Sequence, residues 1–408
     1  MPPSVPVKRT ITLMAFPVIA LYGVMQSVNQ ILLPNLVAVI APENKVSIIA
    51  NISLIAGIMG TLAIVIGPAI SDRSRSRFGK RAPYLATLSL LTCVIMTLIA
   101  QTSSTVMIIV LMALFGMCTN WYSGCIYAIL PDRIPESHRG TASSVLGLGL
   151  PIGILIFVNY ASRVPSTIGY ITTGIAFVAA TALFLMGSPE PSSLNMPKPE
   201  RKKESQGFSL SFFDSFRHWN FTMTFLSRFT FYLGFFAISN YTMYIITDYV
   251  GSQNVPGGNA SVAVATLSTI STIFQVVTVL TCGFIADKFN LTKTIVGMAG
   301  FAMVFAYACP ILMPSWIGMI AFNIIAGAAG GVYFSVDAAL MSRVLPTKGH
   351  EGRDMGILNA ASSVTSMFAA LIGSMLLSVF STYAALFFFG AILAVICGIC
   401  TLSIRNIR

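Results

Sequence analysis

The sequence predicts an all-α polytopic membrane protein, with twelve transmembrane helices in two pseudo-symmetric six-helix bundles. Three observations predict it. The 408-residue chain is 55% apolar and only 9% charged, whereas soluble domains carry roughly 25% charged residues. The apolar residues gather into twelve stretches, each long enough to cross ~30 Å of hydrocarbon at ~1.5 Å per residue. Two landmarks recur at one interval: Asp72-Arg73 returns as Asp287-Lys288 and Leu130-Pro131 as Leu345-Pro346, both 215 residues on. Independent landmarks sharing an offset mark an internal duplication. A duplicated six-helix unit is the architecture of a transporter that alternates between two faces.

The expected spans are 10–38, 46–70, 83–101, 105–130, 140–161 and 168–187 in the first bundle. The second bundle supplies 220–249, 261–285, 293–313, 316–341, 355–379 and 383–404. Lys8 and Arg9 lead straight into a stretch too long for the apolar core of a cleavable signal. Residues 188–219 separate the halves. Pro189, Pro191, Pro197 and Pro199 forbid a continuous helix there, and the charges are expected to keep the stretch in water. Phe208–Phe216 reads as a short amphipathic piece at the membrane interface. The expected division is therefore 1–187 as the first bundle, 188–219 as a cytoplasmic linker and 220–408 as the second bundle.

The formal charge of +11 is explained by placement. With a cytoplasmic N-terminus, 21 of the 24 Lys and Arg fall in loops on the inner side. Only Lys45 and Arg163 lie outside, and Arg228 lies within a helix. This is the positive-inside asymmetry, and it puts both termini in the cytoplasm of a cell-membrane protein. No nucleic-acid partner is implied. The seven cysteines all lie in apolar stretches. Cys397 and Cys400 form a CxxC inside the last span, where small buried residues are expected rather than a redox or metal site. The three histidines lie in loops, no catalytic constellation converges, and no Walker motif is present, so neither an enzyme nor ATP-driven transport is expected.

The loop Asp72-Arg-Ser-Arg-Ser-Arg-Phe-Gly79-Lys-Arg81-Ala-Pro83 joins helices 2 and 3. It resembles the loop 2–3 motif of the major facilitator superfamily, in the longer form of glycoside–pentoside–hexuronide and sucrose-type symporters. Leu130-Pro-Asp132-Arg-Ile-Pro-Glu136-Ser-His-Arg139-Gly140 resembles their loop 4–5 element. The resemblance covers the whole chain and implies a secondary transporter with no cofactor. Its expected partners are a small-molecule substrate, protons and membrane lipid, and its expected working unit is a monomer.

Several residues acquire roles on this reading. Asp72 can accept charge-assisted hydrogen bonds from loop arginines. Asp72, Arg73, Arg77, Arg81, Asp132 and Arg139, with Gly283, Asp287 and Lys288 in the second copy, are expected to form a cytoplasmic latch between the bundles. The alternative is that these cations only obey the topology rule. The glycine usual four residues before the aspartate is Pro68 here, with Gly67 displaced by one. Close packing of helix 2 at that point is therefore in question.

Charge inside a membrane is costly, so Arg228 in helix 7 and Asp337 near the end of helix 10 stand out. By the superfamily architecture both helices face the central cavity. A pair between them would be a proton-coupling element or a structural pair. Tyr22, Gln26 and Asn29 share one face of helix 1 at i, i+4, i+7. Asn120 and Trp121 lie in helix 4. Tyr232, Asn240 and Tyr244 follow in helix 7, Gln275 in helix 8, Asn323 and Tyr333 in helix 10, and Asn359 in helix 11. Amides and aromatic rings suit a neutral polyhydroxylated ligand, although the same amides could serve as interhelical glue.

Absences matter too. Helices 1 to 5 hold no acid before Asp132 that could match the cation ligands of melibiose-type symporters. Helix 4 lacks the arginine typical of proton–drug antiporters. Helix 5, with Gly147-Leu-Gly149-Leu-Pro151-Ile-Gly153, reads as close-packed and bendable. The expected function is alternating-access transport of a sugar or glycoside, with a proton as the candidate coupling ion. The rivals are a proton-exchange exporter of drugs or amphipathic metabolites and a membrane sensor or scaffold that has lost turnover.

Overall fold

The computed structural model describes residues 6–194, 215–289, 292–345 and 351–405; side chains at 283–289, 292, 338, 339, 342 and 351–353 are not described. Twelve helices among these are long and apolar enough to cross a membrane. In chain order they are α1 (Val7–Ile40), α2 (Lys45–Arg73), α3 (Ala82–Ile99), α4 (Thr105–Arg133), α5 (Glu136–Ala161) and α6 (Ser166–Gly187). The second half holds α7 (Trp219–Ser239), α8 (Ala260–Phe289), α9 (Thr292–Leu312), α10 (Trp316–Arg343), α11 (Glu351–Phe380) and α12 (Ala384–Leu402). No strand occurs among the described residues. The chain divides into two compact units, Met1–Lys202 and Lys203–Arg408.

Each helix forms because its backbone has no water to bond with in hydrocarbon and must satisfy itself within the segment. Three helices depart from regular geometry at a π-turn: α1 at Val28–Leu32, α5 at Ile154–Val158, and the continuation of α7 at Ile245–Gly251. Each admits one extra residue and re-aims the helix beyond it. In α1 this begins one residue before Asn29, so Asn29 does not keep the straight-helix register with Tyr22 and Gln26.

The two units repeat one internal pattern. Every buried position of α1 from Ile11 to Ser27 has a buried counterpart in α7 at an offset of 210: Ile11 and Phe221, Met14 and Thr224, Val18 and Arg228, Leu21 and Phe231, Ser27 and Ala237 among them. Tyr22 and Tyr232 are counterparts in this register, and both are half-buried. Further on the offset is 215. Gly60 packs on Gly116 between α2 and α4, and Gln275 packs on Gly331 between α8 and α10. The five extra residues lie between α7 and α8, where two short 3₁₀ turns, Ser252–Asn254 and Pro256–Gly258, lengthen the connection.

Backbones approach closely where side chains are smallest, as expected when helices associate without a hydrophobic drive. A Cβ on Gly116 would stand 2.8 Å from the Ala56 carbonyl oxygen. One on Gly153 would stand 2.7 Å from the Gly23 nitrogen, fixing the contact of α5 with α1. The glycine-rich stretch of α5 is thus close-packed at Gly149 and Gly153, whereas Gly147 faces open space. Nor does Pro68 loosen α2. Gly67 receives the Trp121 ring, and the Pro68 ring occupies the space left by Gly124, whose Cβ would lie 2.6 Å from Pro68 Cγ. A small residue on the facing helix has replaced the missing one. Gly116→Val should force α2 and α4 apart and lower stability by about 1–3 kcal/mol; a thermal unfolding midpoint equal to wild type would count against this contact.

Candidate functional site

Two charged clusters are built into the helices, one in each unit. In the first, Arg81 immediately precedes α3 and is 3% exposed. Its guanidinium reaches four groups. Nη2 donates to Asp72 Oδ1 at 2.5 Å and to Asp132 Oδ2 at 3.1 Å, and Nε donates to Asp132 Oδ2 at 3.2 Å. Nη1 donates to the Pro68 carbonyl at 3.3 Å and to the Ser71 hydroxyl in a close contact. A planar fork with five N–H groups can serve acceptors on several sides at once. Here it ties the ends of α2 and α4 to the start of α3, all within one unit. Of the other residues expected in the latch, Arg73 and Arg77 make no ion pair among the described residues. Arg139 pairs with Glu136 at 3.5 Å on the surface, where such pairs are worth little. The side chains of Gly283, Asp287 and Lys288 lie outside those described.

The second cluster sits inside the helices of the other unit. Arg228 on α7 and Asp337 on α10 form a close ion pair, 3% and 4% exposed. Arg228 Nε donates to the Leu358 carbonyl at 3.0 Å, and Nη2 donates to Asn359 Oδ1 at 3.3 Å. Helices α7, α10 and α11 therefore meet on one guanidinium. The Tyr232 ring lies 5.5 Å from its carbon, within cation–π range. Tyr333 stacks on Phe231 with ring centres 3.7 Å apart. Two fully buried polar atoms here have no hydrogen-bond partner: Asp337 Oδ1 and, one turn back on α10, the Tyr333 hydroxyl.

The uncharged polar residues divide. Tyr22 on α1 shares a hydroxyl–hydroxyl hydrogen bond of 2.8 Å with Tyr127 on α4, and Gln26 is half-buried on the same stripe. Beside Tyr232, ring contacts link Phe235, Phe236 and Phe334, all half-buried. Asn120, Asn240 and Asn323 each donate to the carbonyl four residues back on their own helix, at 2.9, 2.8 and 2.9 Å. Trp121 is wedged between Gly67 and Tyr84, with its ring nitrogen buried and unbonded. Tyr244 is buried, Gln275 is half-buried, and Asn29 and Asn359 are exposed. No group of His, Cys, Asp and Glu able to hold a metal occurs among the described residues.

Sequence reasoning missed three participants. Tyr127 gave no signal beyond being a tyrosine near a helix end. Glu190 lies in the stretch expected to be solvated, yet its Oε2 accepts from the backbone nitrogens of Arg81 and Ala82 at 2.9 and 3.0 Å. The third, Tyr383 at the start of α12, donates to Asp248 at 2.8 Å.

The family model of the Major Facilitator Superfamily matches residues 15–265 and 224–407. The chain belongs to the major facilitator superfamily. No curated protein gives a significant sequence match. Among solved structures, the nucleoside transporter NupG, crystallised as a point variant, is similar over 98% of this chain and 100% of its own, at 11% identity and a TM-score of 0.74. A bacterial homologue of the human lysosomal transporter Spinster, inward-facing and unoccupied, is similar over 99% of this chain and 95% of its own, at 12% identity and a TM-score of 0.69. The same homologue in an occupied state gives 13% identity and a TM-score of 0.67 over 97% of this chain. At such identities the likeness is one of fold. Superfamily members are secondary transporters of small molecules rather than enzymes, and this chain is a multi-pass member of that class.

Proposed function

We propose that this chain is a proton-coupled transporter of a sugar or glycoside in the cell membrane, with both termini cytoplasmic and a monomer as the working unit. The observation that carries the coupling is the buried Arg228–Asp337 pair. Asp337 Oδ1 has no donor, so a proton can bind there without displacing a hydrogen bond, and its arrival cancels the charge that holds Arg228. Tyr22, Tyr127 and Gln26 offer hydroxyl and amide groups for a polyhydroxylated ligand, and the Tyr232 ring group offers faces on which a sugar can stack. Asn120, Asn240 and Asn323 are weaker candidates, because one amide N–H of each already bonds the carbonyl four residues back on its own helix. The stacked rings around Tyr232 also favour a second reading, a nucleoside, whose planar base they would cover; NupG, which has this fold, is a nucleoside transporter.

The Arg81 cluster is assigned to the cytoplasmic gate, with Asp72 and Asp132 as its acceptors. Asp72→Asn should cut turnover about tenfold or more while sparing ligand affinity, because an ion pair with Arg81 becomes a weaker bond to a neutral amide oxygen. Flux and binding measured on one preparation check this, and wild-type flux would remove Asp72 from the gate.

The test of substrate class is thermal stabilisation of the purified protein by saccharides, glycosides, nucleosides, amino acids and lipophilic cations. A ligand of the folded state raises the midpoint by mass action. Saccharide stabilisation supports the first reading, and nucleoside stabilisation the second. Stabilisation by lipophilic cations alone would make the chain an exporter.

A further inference from the structure

The segment that follows α6 is stitched to the loop between α2 and α3, to the end of α4 and to α1. Glu190 Oε2 accepts from the nitrogens of Arg81 and Ala82, at the start of α3. Ser193 and Ser76 exchange two hydrogen bonds: the Ser76 nitrogen donates to Ser193 Oγ at 3.0 Å, and the Ser193 nitrogen donates to the Ser76 carbonyl at 3.1 Å. Arg133 at the end of α4 donates to the carbonyls of Ser188 and Pro189, both at 3.2 Å, and to the Ser188 hydroxyl at 2.9 Å. That hydroxyl also bonds Thr10 on α1 at 2.9 Å. Ser188 and Ser193 are fully buried. The loop is shaped to admit the carboxylate: Gly79 has φ of +96°, and a Cβ there would run into the Glu190 side chain.

Within the stretch expected to be solvated, Pro189, Pro191, Ser192 and Leu194 are exposed, whereas Ser188 and Ser193 are buried and Glu190 is half-buried, and the contacts have a mechanical consequence. Arg81 is gripped twice. Its guanidinium is held by Asp72 and Asp132, and its backbone nitrogen is held by Glu190. A side chain can present its fork to two carboxylates only if its own backbone is fixed. A carboxylate at a helix N-terminus fixes it with both hydrogen bonds and favourable charge. We propose that Ser188–Ser193 is a strap that sets the gate, with Glu190 as the positioning residue for Arg81. At the far end of the linker, Ser215 donates to Asp354 in α11 at 2.6 Å, both side chains buried, so that end is anchored as well.

The proposal rests on the assignment of the Arg81 cluster to the gate, and the experiment separates the two. Transport of the solute identified by stabilisation is measured for Glu190→Ala, Glu190→Gln and Asp72→Asn, as kcat and KM. Glu190→Ala should lower kcat roughly tenfold with KM unchanged. Glu190→Gln keeps a carbonyl oxygen for both N–H groups and should recover much of the loss. Cleavage at a protease site placed within 195–214 should leave kcat near wild type, because both ends stay anchored. Wild-type kcat for Glu190→Ala beside a crippled Asp72→Asn would overturn the strap and leave the gate. A lower melting point with kcat unchanged would reduce Glu190 to a structural cap, and overturns the proposal too. Wild-type kcat for both variants would remove the gate itself. Should Glu190→Ala fail to accumulate in the membrane, Ser193→Ala gives the same readout at smaller amplitude.

Discussion

Asp337→Asn is expected to abolish solute accumulation driven by a pH gradient while leaving solute-for-solute exchange running. The physical ground is the burial of both partners, at 3% and 4% exposure. Asparagine preserves the shape but cannot carry a proton or balance Arg228. The guanidinium keeps the Leu358 carbonyl and Asn359 and loses its counter-charge. Breaking a buried pair from one side costs about 3–5 kcal/mol, so the variant should also melt earlier. Replacing both partners by apolar residues of similar volume is often neutral for stability. Arg228→Met with Asp337→Leu should therefore recover the melting point and still fail to accumulate solute. Proteoliposomes with an imposed proton gradient, compared with counterflow in its absence, separate coupling from exchange. Undiminished accumulation by Asp337→Asn would return the pair to a purely structural role.

Arg81→Lys should cut turnover nearly as far as deleting the side chain would, although the charge is kept. Lysine offers its donors from one atom, whereas Arg81 serves Asp132 through Nε and Nη2, Asp72 through Nη2, and Pro68 and Ser71 through Nη1. A compact ammonium cannot span that set. Stability should fall less than turnover, because the Asp72 side chain is 46% exposed and water can take up part of the lost interaction. Ligand affinity should stay near wild type, since the cluster touches none of the residues assigned to substrate. Turnover, affinity and melting point measured together check this, and wild-type turnover for Arg81→Lys would show that charge alone suffices.

What the sequence made legible follows from how costly each feature is. Twelve spans are readable because hydrocarbon tolerates little else, and Arg228 and Asp337 because a charge there is rare enough to need a partner. Arg81 and Asp132 came from the resemblance of the two loops, which did not separate them from Arg73, Arg77 and Arg139. Other features left no mark in composition. A π-turn is a shift in hydrogen-bond register, and Val28–Leu32 contains no residue that requires one. Glu190 stands among prolines and serines that read as solvated, and only its two backbone donors reveal it as a cap. The amides of Asn120, Asn240 and Asn323 counted as ligand candidates because a sequence cannot show that each already bonds its own helix. Pro68 shows the same limit: its loss of a small residue was visible, but the compensation at Gly124 lies on another helix.

The internal registers place Val18 at the position of Arg228 and Tyr122 at that of Asp337. One copy of the duplicated unit thus holds the ionic couple where its twin holds apolar carbon and a phenol bonded to Thr181. The twin in turn holds the arginine-rich loop, of which the other copy retains few cations. On the roles proposed above, the descendants of one ancestral unit have become specialists. Two first halves joined together would own a pair of gates and no means of drawing on a proton gradient, and two second halves would suffer the reverse. On those roles, neither copy can any longer stand in for the other.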